Sequence, residues 1–312
     1  MKNTLIENYK NFSDNTKFVH IPPFPRRIML EVTDRCNHQC IFCAHANAKR
    51  TRGKMEPSVY VRLLEEAFSL GTRECAFHGG SEPFMHPNLH DVVATAKNIG
   101  YTYLYLTTNG SACSKNKMQK VLDAGLDSIK FSINAGTAED YLKVHGKDNF
   151  EKVLDMVAFV AEYRKKKEQQ LKLYVSAIIC SANQSQIKNL DTTLCGLVDC
   201  IEYLTACWTG KSTKIPLKEL KARSFPGKIC SEPFNRLTIS ANGYVRACCN
   251  DVDNFLAIGD ATNNSLEDIW KGEMFVQLRR WLLEDKLPTN SLCYNCSKFV
   301  DGLILPLHEL IG

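Results

Sequence analysis

Cys36, Cys40 and Cys43 place three thiols within eight residues, just after a short apolar run. Thiolate sulfur is a natural ligand for zinc and for iron–sulfur clusters. A closed structural zinc site takes four ligands, and His38 and His45 are the nearby fourth candidates. If only the three cysteines hold a four-iron cluster, one iron keeps an open coordination position. An open position can bind a substrate or cofactor, which a closed structural site cannot. Packed core thiols are the remaining possibility.

A second group lies far along the chain: Cys230, Cys248, Cys249, Cys293 and Cys296. A hairpin thiolate with a C-x2-C pair suits tetrahedral zinc or a second four-iron cluster. Cys249 is read as a structural neighbour of Cys248, because vicinal cysteines rarely ligate one cluster together. Cys75, Cys113, Cys180, Cys195, Cys200 and Cys207 are dispersed among apolar neighbours and are read as small buried hydrophobes. The opening residues, MKNTLIENYKNFSDNTKF, contain no apolar signal-peptide core, and no apolar run approaches the roughly 20 residues that span a bilayer. This points to the cytoplasm and to no membrane partner. There thiols stay reduced, so grouped cysteines mean metal rather than disulfides.

The elements that must position these groups follow a β–α rhythm from residue 28 to about 205. Strands are expected at Ile28–Val32, Cys75–His78, Thr102–Thr107, Ser128–Ile133, Leu171–Ile179 and Ile201–Thr205. Helices are expected at Pro57–Leu70, Leu89–Ile99, Lys115–Ala124, Phe150–Lys166 and Gln184–Leu197. Such repetition implies an α/β fold with a parallel sheet. Six strands are fewer than the eight of a closed barrel, so the expectation is a partial (β/α)6 TIM-like barrel. The boundaries are then an N-terminal extension at 1–27, the barrel at 28–205, a loop-rich connection at 206–229 and a small cluster-binding domain at 230–312. That last unit opens on a hairpin about Asn242-Gly243 and continues in one amphipathic helix, "SLEDIWKGEMFVQLRRWLLED", with Ser265 as its cap. The formal charge of +5 is modest, and the basic stretch Tyr163–Lys167 reads as a solvated helix end, so no nucleic-acid partner is expected.

The C-x3-C-x2-C spacing after the first strand, with Phe42 just before the last cysteine, resembles the radical S-adenosylmethionine (radical SAM) enzymes. The resemblance implies that Cys36, Cys40 and Cys43 hold a 4Fe–4S cluster whose open iron chelates the amino and carboxylate groups of S-adenosylmethionine. It implies reductive cleavage of that cofactor to a 5′-deoxyadenosyl radical, which abstracts a substrate hydrogen. A low-potential electron donor such as flavodoxin or ferredoxin is implied as partner. Phe42 is expected to pack on the adenine. "HGGSEPFMHPNL" is similar to the family's Gly-Gly-Glu-Pro segment, which assigns Gly80 and Glu82 to the methionyl ammonium, although Ser81 stands where the second glycine is usual. "TTNG" and "FSINAG" occupy strand ends where the family binds ribose and carboxylate, which brings in Asn109, Ser132 and Asn134. His145 stands where relatives often have an arginine for that carboxylate.

Gly243-x4-Cys248, then Ile269-Trp270, then Cys293-x2-Cys296, resembles the shortened SPASM module called the twitch domain. This implies that Cys230, Cys248, Cys293 and Cys296 hold one auxiliary 4Fe–4S cluster. Four protein ligands leave no open iron, so its expected task is to carry an electron. The layout is similar to that of an aminocyclitol dehydrogenase in the family, which implies oxidation of an alcohol on a small sugar-like substrate. The short extension before the first strand favours a small substrate as well. His78, Lys211 and Lys214 are the candidate proton acceptors. The alternative is a peptide- or protein-modifying radical enzyme, with Cys249 or Cys207 donating hydrogen or binding substrate. A non-enzymatic metal scaffold or electron carrier explains the cysteines but not the motifs at successive strand ends.

Overall fold

The computed structural model describes residues 16–48, 53–207, 213–222, 229–298 and 303–311. Its first part runs β1 (Arg27–Leu30), α1 (Pro57–Ser69), β2 (Glu74–Ala76), α2 (Leu89–Ile99), β3 (Tyr103–Thr108), α3 (Lys115–Asp123), β4 (Ser128–Ser132), α4 (Ala138–His145), α5 (Phe150–Lys166), β5 (Lys172–Ile179), α6 (Asn189–Thr193) and β6 (Cys200–Thr205). The six strands lie parallel in sequence order, each paired with the next, and among the described residues the sheet does not close on itself. This is the partial-barrel topology that the β–α rhythm implies.

Local chemistry explains the helices. Pro57 starts α1 at a position where its missing N–H is no loss, and Tyr60, Leu63, Leu64 and Ala67 form its buried face. Ser114 and Thr137 cap α3 and α4 by accepting the Lys117 and Asp140 amides, at 3.2 Å each. α4 is absent from the expected elements, because eight residues are too few for a periodic signal. The helix expected at Gln184–Leu197 shrinks to α6. Gly136 packs so tightly on this segment that a β-carbon there would sit 1.8 Å from the Gln186 carbonyl. Asn183 ties the start of the segment to Asn134 and Ile178 through its side-chain amide.

The second part carries α7 (Glu232–Asn235), β7 (Arg236–Ile239), β8 (Tyr244–Arg246), β9 (Ala257–Asp260), α8 (Leu266–Lys271), α9 (Glu273–Leu283), α10 (Leu292–Lys298) and α11 (Leu307–Ile311). β7 pairs parallel with β1, so the antiparallel β7–β8–β9 ribbon extends the barrel sheet to nine strands. The hairpin turns at Gly243 with φ +85°, as its sequence predicts. The single amphipathic helix expected after Ser265 is two. Ser265 caps α8 through the Asp268 amide at 3.0 Å, but Gly272 is extended and separates α8 from α9. Glycine's low helix propensity makes it the point of separation.

One core runs through both parts, from Ile28, Phe77, Leu104 and Phe131 to Leu237, Val245 and Trp270. The extension joins it: the Trp270 indole donates to Pro22 O at 2.9 Å, and Phe18 meets Phe234 edge-on at 5.2 Å. Of the six dispersed cysteines, Cys75, Cys113 and Cys180 are buried, Cys200 and Cys207 are half-buried, and Cys195 is exposed, against expectation. Cys195 sits after the end of α6, in the segment where the expected helix gives way to turns. Lys165, Lys166 and Lys167 are solvated as expected, whereas Arg164 reaches the Asp199 carboxylate at 2.6 Å. Among the described residues no helix is long and apolar enough to cross a membrane.

Candidate active site

The carboxyl ends of the parallel strands surround a cavity of about 480 Å³. Parallel barrels place their chemistry at this end, where loops from several strands converge. Cys36, Cys40 and Cys43 line one wall, from the loop after β1. Burial pushes the Cys36 thiol up to about 12 and raises Cys40 and Cys43 as well, with neighbouring thiols adding to the first two. Sulfurs that are reluctant to ionise alone, yet converge on one cavity, fit a cationic metal group that would hold them as thiolates.

His38 and His145 back this loop. His145 Nε2 lies 2.6 Å from Ile133 O, and its Nδ1 lies 3.1 Å from Cys40 Sγ and 3.2 Å from His38 Nδ1. Both ring nitrogens of His145 are therefore committed to the protein. The carboxylate contact expected of His145 is not available from this position, although the ring borders the cavity. Burial lowers His145 to about 3 and His38 to about 4, so both rings are neutral near pH 7. His38 Nε2 continues to Ser111 Oγ at 2.7 Å, and Asn37 donates to the same hydroxyl at 2.8 Å. His45, the other candidate zinc ligand, turns to Asp34 O at 2.8 Å.

Glu82 is buried against the cavity and accepts Thr108 Oγ1 at 2.7 Å, Asn109 N at 2.6 Å and Phe84 N at 3.0 Å. Desolvation raises its carboxyl to about 7 despite these donors. Glu82 thus clamps the β2 loop to the end of β3. Ser81 donates its hydroxyl to Thr33 O, which seats the loop beside β1. Asn109 donates to Asn37 Oδ1 at 2.9 Å. Asn134, in the left-handed region at φ +54°, accepts Ile178 N at 2.8 Å. Ser132 lies 3.4 Å from Ser176 Oγ. Gly80, Glu82, Asn109, Ser132, Asn134 and Phe42 all border the cavity. Phe42 also packs on the small cluster of Val144, Cys180, Ala206, Ile215 and Leu220.

The expected proton acceptors fare differently. His78 borders the cavity, but its Nδ1 accepts the Thr107 amide at 3.2 Å. Burial, with Lys130 and Arg236 nearby, lowers it to about 3. A neutral ring whose basic nitrogen is engaged offers Nε2–H, a donor, so His78 is not an acceptor. Lys214 is exposed, and its backbone amide donates to Ile41 O at 2.7 Å. Lys211 lies outside the described residues. Lys130, overlooked in the sequence because β4 reads as apolar, borders the cavity and pairs with Glu202 at 3.3 Å.

The second cysteine group converges too. Cys230, Cys248, Cys293 and Cys296 line one cavity of about 90 Å³, walled by Ala247, Leu256, Leu282 and Leu287. Cys293 and Cys296 are three apart on α10 and so share a face. Burial raises the Cys293 thiol well above its ordinary value, with Cys230 and Cys296 next in effect. Four sulfurs in an apolar pocket fit a four-ligand metal group. Cys249 lines the other cavity, with Asn250 and Cys207.

A model of the radical SAM superfamily matches residues 30–180, and one of the SPASM iron–sulfur cluster-binding domain matches residues 230–297. Residues 30–180 are a radical SAM domain and residues 230–297 a SPASM domain. The radical SAM domain holds the first cysteine group and the SPASM domain the second. The chain is 23% identical over 273 residues to the S-adenosyl-L-methionine-dependent 2-deoxy-scyllo-inosamine dehydrogenase of Niallia circulans, covering 86% of this chain and 92% of that one. The crystal structure of BtrN with AdoMet and 2-DOIA matches with a TM-score of 0.60 at 21% identity, over 88% of this chain and 94% of that one. Streptococcus suis SuiB bound to its precursor peptide SuiA matches with a TM-score of 0.70 at 15% identity, over 88% and 71%. These structures share the radical SAM fold.

Proposed function

We propose that this radical SAM enzyme oxidises an alcohol of a small sugar or aminocyclitol to a ketone, and that the SPASM-domain cysteines bind a cluster that takes the second electron. The observation that carries this reading is the split of Cys248 and Cys249. One peptide bond joins a residue of the auxiliary pocket to a residue of the substrate cavity, which gives an electron a short way out.

Cys36, Cys40 and Cys43 hold the first cluster, and Cys230, Cys248, Cys293 and Cys296 hold the second. When bound, the first cluster and S-adenosylmethionine supply the hydrogen-abstracting radical. The β2 loop about Gly80 and Glu82 receives the methionyl ammonium, and the strand ends at Asn109, Ser132 and Asn134 receive the rest of the cofactor. His78 donates Nε2–H to the substrate. Removal of a carbon-bound hydrogen leaves a radical that must lose one proton and one electron to become a ketone. The Lys130–Glu202 pair is the hydroxyl's partner and proton outlet, and the electron leaves toward Cys248. A low-potential flavodoxin or ferredoxin is the fitting donor for the first reduction.

A second reading, redox-neutral hydrogen exchange on a sugar or peptide, is supported by the Cys207 and Cys249 thiols on the same cavity wall. Anaerobic reconstitution, reduction and incubation with S-adenosylmethionine and candidate aminocyclitols separates the two. The first reading expects about eight irons per chain and equal amounts of 5′-deoxyadenosine and ketone. Solvent deuterium in an unoxidised product would instead establish exchange. Absence of 5′-deoxyadenosine would overturn both, and removal of the iron by chelation should abolish its formation.

A further inference from the structure

Glu31 and Arg246 are both wholly buried and meet at 2.9 Å, across 215 residues of chain. Such a pair adds little net stability over well-packed apolar side chains, but neither partner tolerates losing the other. Its effect is therefore geometric: each charge dictates where the other sits.

Glu31 reaches the β2 loop with its other oxygen. Oε1 accepts Gly80 N at 3.0 Å, and a β-carbon on Gly79 would sit 2.8 Å from Glu31 Cβ. The loop that faces the cofactor thus lies flat against the Glu31 side chain. Arg246 reaches the other way and donates through Nη1 to Asp251 O. The Asp251 carboxylate in turn accepts Leu256 N at 2.7 Å and Phe255 N at 3.0 Å. Arg246 and Asp251 thereby close a turn with Cys248 and Cys249 inside it.

We propose that Arg246 is a positioning residue that, through Glu31, ties the Cys248–Cys249 turn to the loop that receives the methionyl end of S-adenosylmethionine. This rests on the assignment of the two cysteine groups above. One rigid strut then sets both the cofactor and the wall of the substrate cavity that backs onto the auxiliary pocket. Disturbing either end is felt at the other, as coupled sites must be.

The test uses the reconstituted holoenzyme and the variants Arg246→Lys, Glu31→Gln and Tyr101→Phe. Tyr101 is also buried and donates its hydroxyl to Leu64 O at 2.9 Å, and neither residue lines either cavity. Arg246→Lys should weaken S-adenosylmethionine binding about tenfold, read from the cofactor-induced change in the electron paramagnetic resonance signal of the first cluster. Glu31→Gln should shift the signal of the auxiliary cluster. Tyr101→Phe, which loses one buried hydrogen bond, should lower the melting temperature and do neither. Unchanged cofactor affinity in Arg246→Lys, or an auxiliary signal in Glu31→Gln identical to wild type, would overturn the proposal. If Arg246→Lys fails to fold, Glu31→Gln decides alone. Wild-type protein with no second cluster signal would sink the cysteine assignment instead, which separates the two failures.

Discussion

Cys248 and Cys249 are adjacent in sequence and face different cavities: Cys248 the auxiliary pocket, Cys249 the space beside Cys36, Cys40 and Cys43. The chain turns at Cys249, shortly after β8, so the vicinal pair divides its labour between the two cavities. Cys248→Ala is expected to remove about half of the iron and the auxiliary signal. Cys249→Ala should keep both, and keep cofactor cleavage, while changing only what happens to the substrate. Iron analysis and product assays on the two variants check this. Equal iron loss in both would mean that Cys249 is a ligand.

His145 has no nitrogen to spare for a cofactor carboxylate, since it bridges Ile133 O and Cys40 Sγ. His145→Ala should therefore act on the cluster loop. We expect a loss of about 2 kcal/mol in denaturant unfolding of the apoprotein, the scale of a buried hydrogen-bonding partner removed. Iron retention should fall with it. Molecules that keep the cluster should bind S-adenosylmethionine with unchanged affinity, measured by equilibrium binding.

His78 is neutral by burial, with Lys130 and Arg236 adding to the effect. Its folded value of about 3 lies below the 6.5 of an ordinary histidine. The unfolded chain therefore binds more protons between these values, and stability falls as pH drops through that window. Glu82, raised from 4.5 to about 7, works in the opposite sense between those two values. His78→Gln should flatten the acid loss seen in apoprotein melting temperatures between about pH 6.5 and 4. Nitrogen-15 NMR should show a single Nε2–H tautomer from about pH 5 to 8. A ring that titrates near 6.5 would refute the assignment.

Lys130 pairs with Glu202 at the cavity and lies close enough to bear on His78. Lys130→Gln should leave 5′-deoxyadenosine formation running while product falls by about 100-fold, the usual worth of a proton-transfer partner. The ratio of deoxyadenosine to ketone reads this directly. A ratio that stays at one would exclude the Lys130–Glu202 outlet.

The strands and the cysteine motif were legible because both are local. Apolar runs, the Asn242-Gly243 turn and the C-x3-C-x2-C spacing act within a few residues. The departures arose where distant chain decides local shape. Turns replace most of a helix where Gly136 packs on Gln186, and Gly272 divides another. Glu31 carried a faint signal, a lone acid within the run IMLEV beside the cysteines, and Arg246 another, two residues before Cys248. Neither hint names a partner.

Residue types and spacing by themselves determined the chemistry: which sulfurs come in groups, and that a β–α repeat carries them. Only the tertiary structure decided which polar atoms are spoken for. It engaged the basic nitrogen of His78, occupied both nitrogens of His145, and set Lys130 and Cys249 on the cavity wall. The physical reason is that a ligand set is a property of neighbouring residues, whereas protonation and availability depend on burial and on hydrogen bonds from strands far away in the chain.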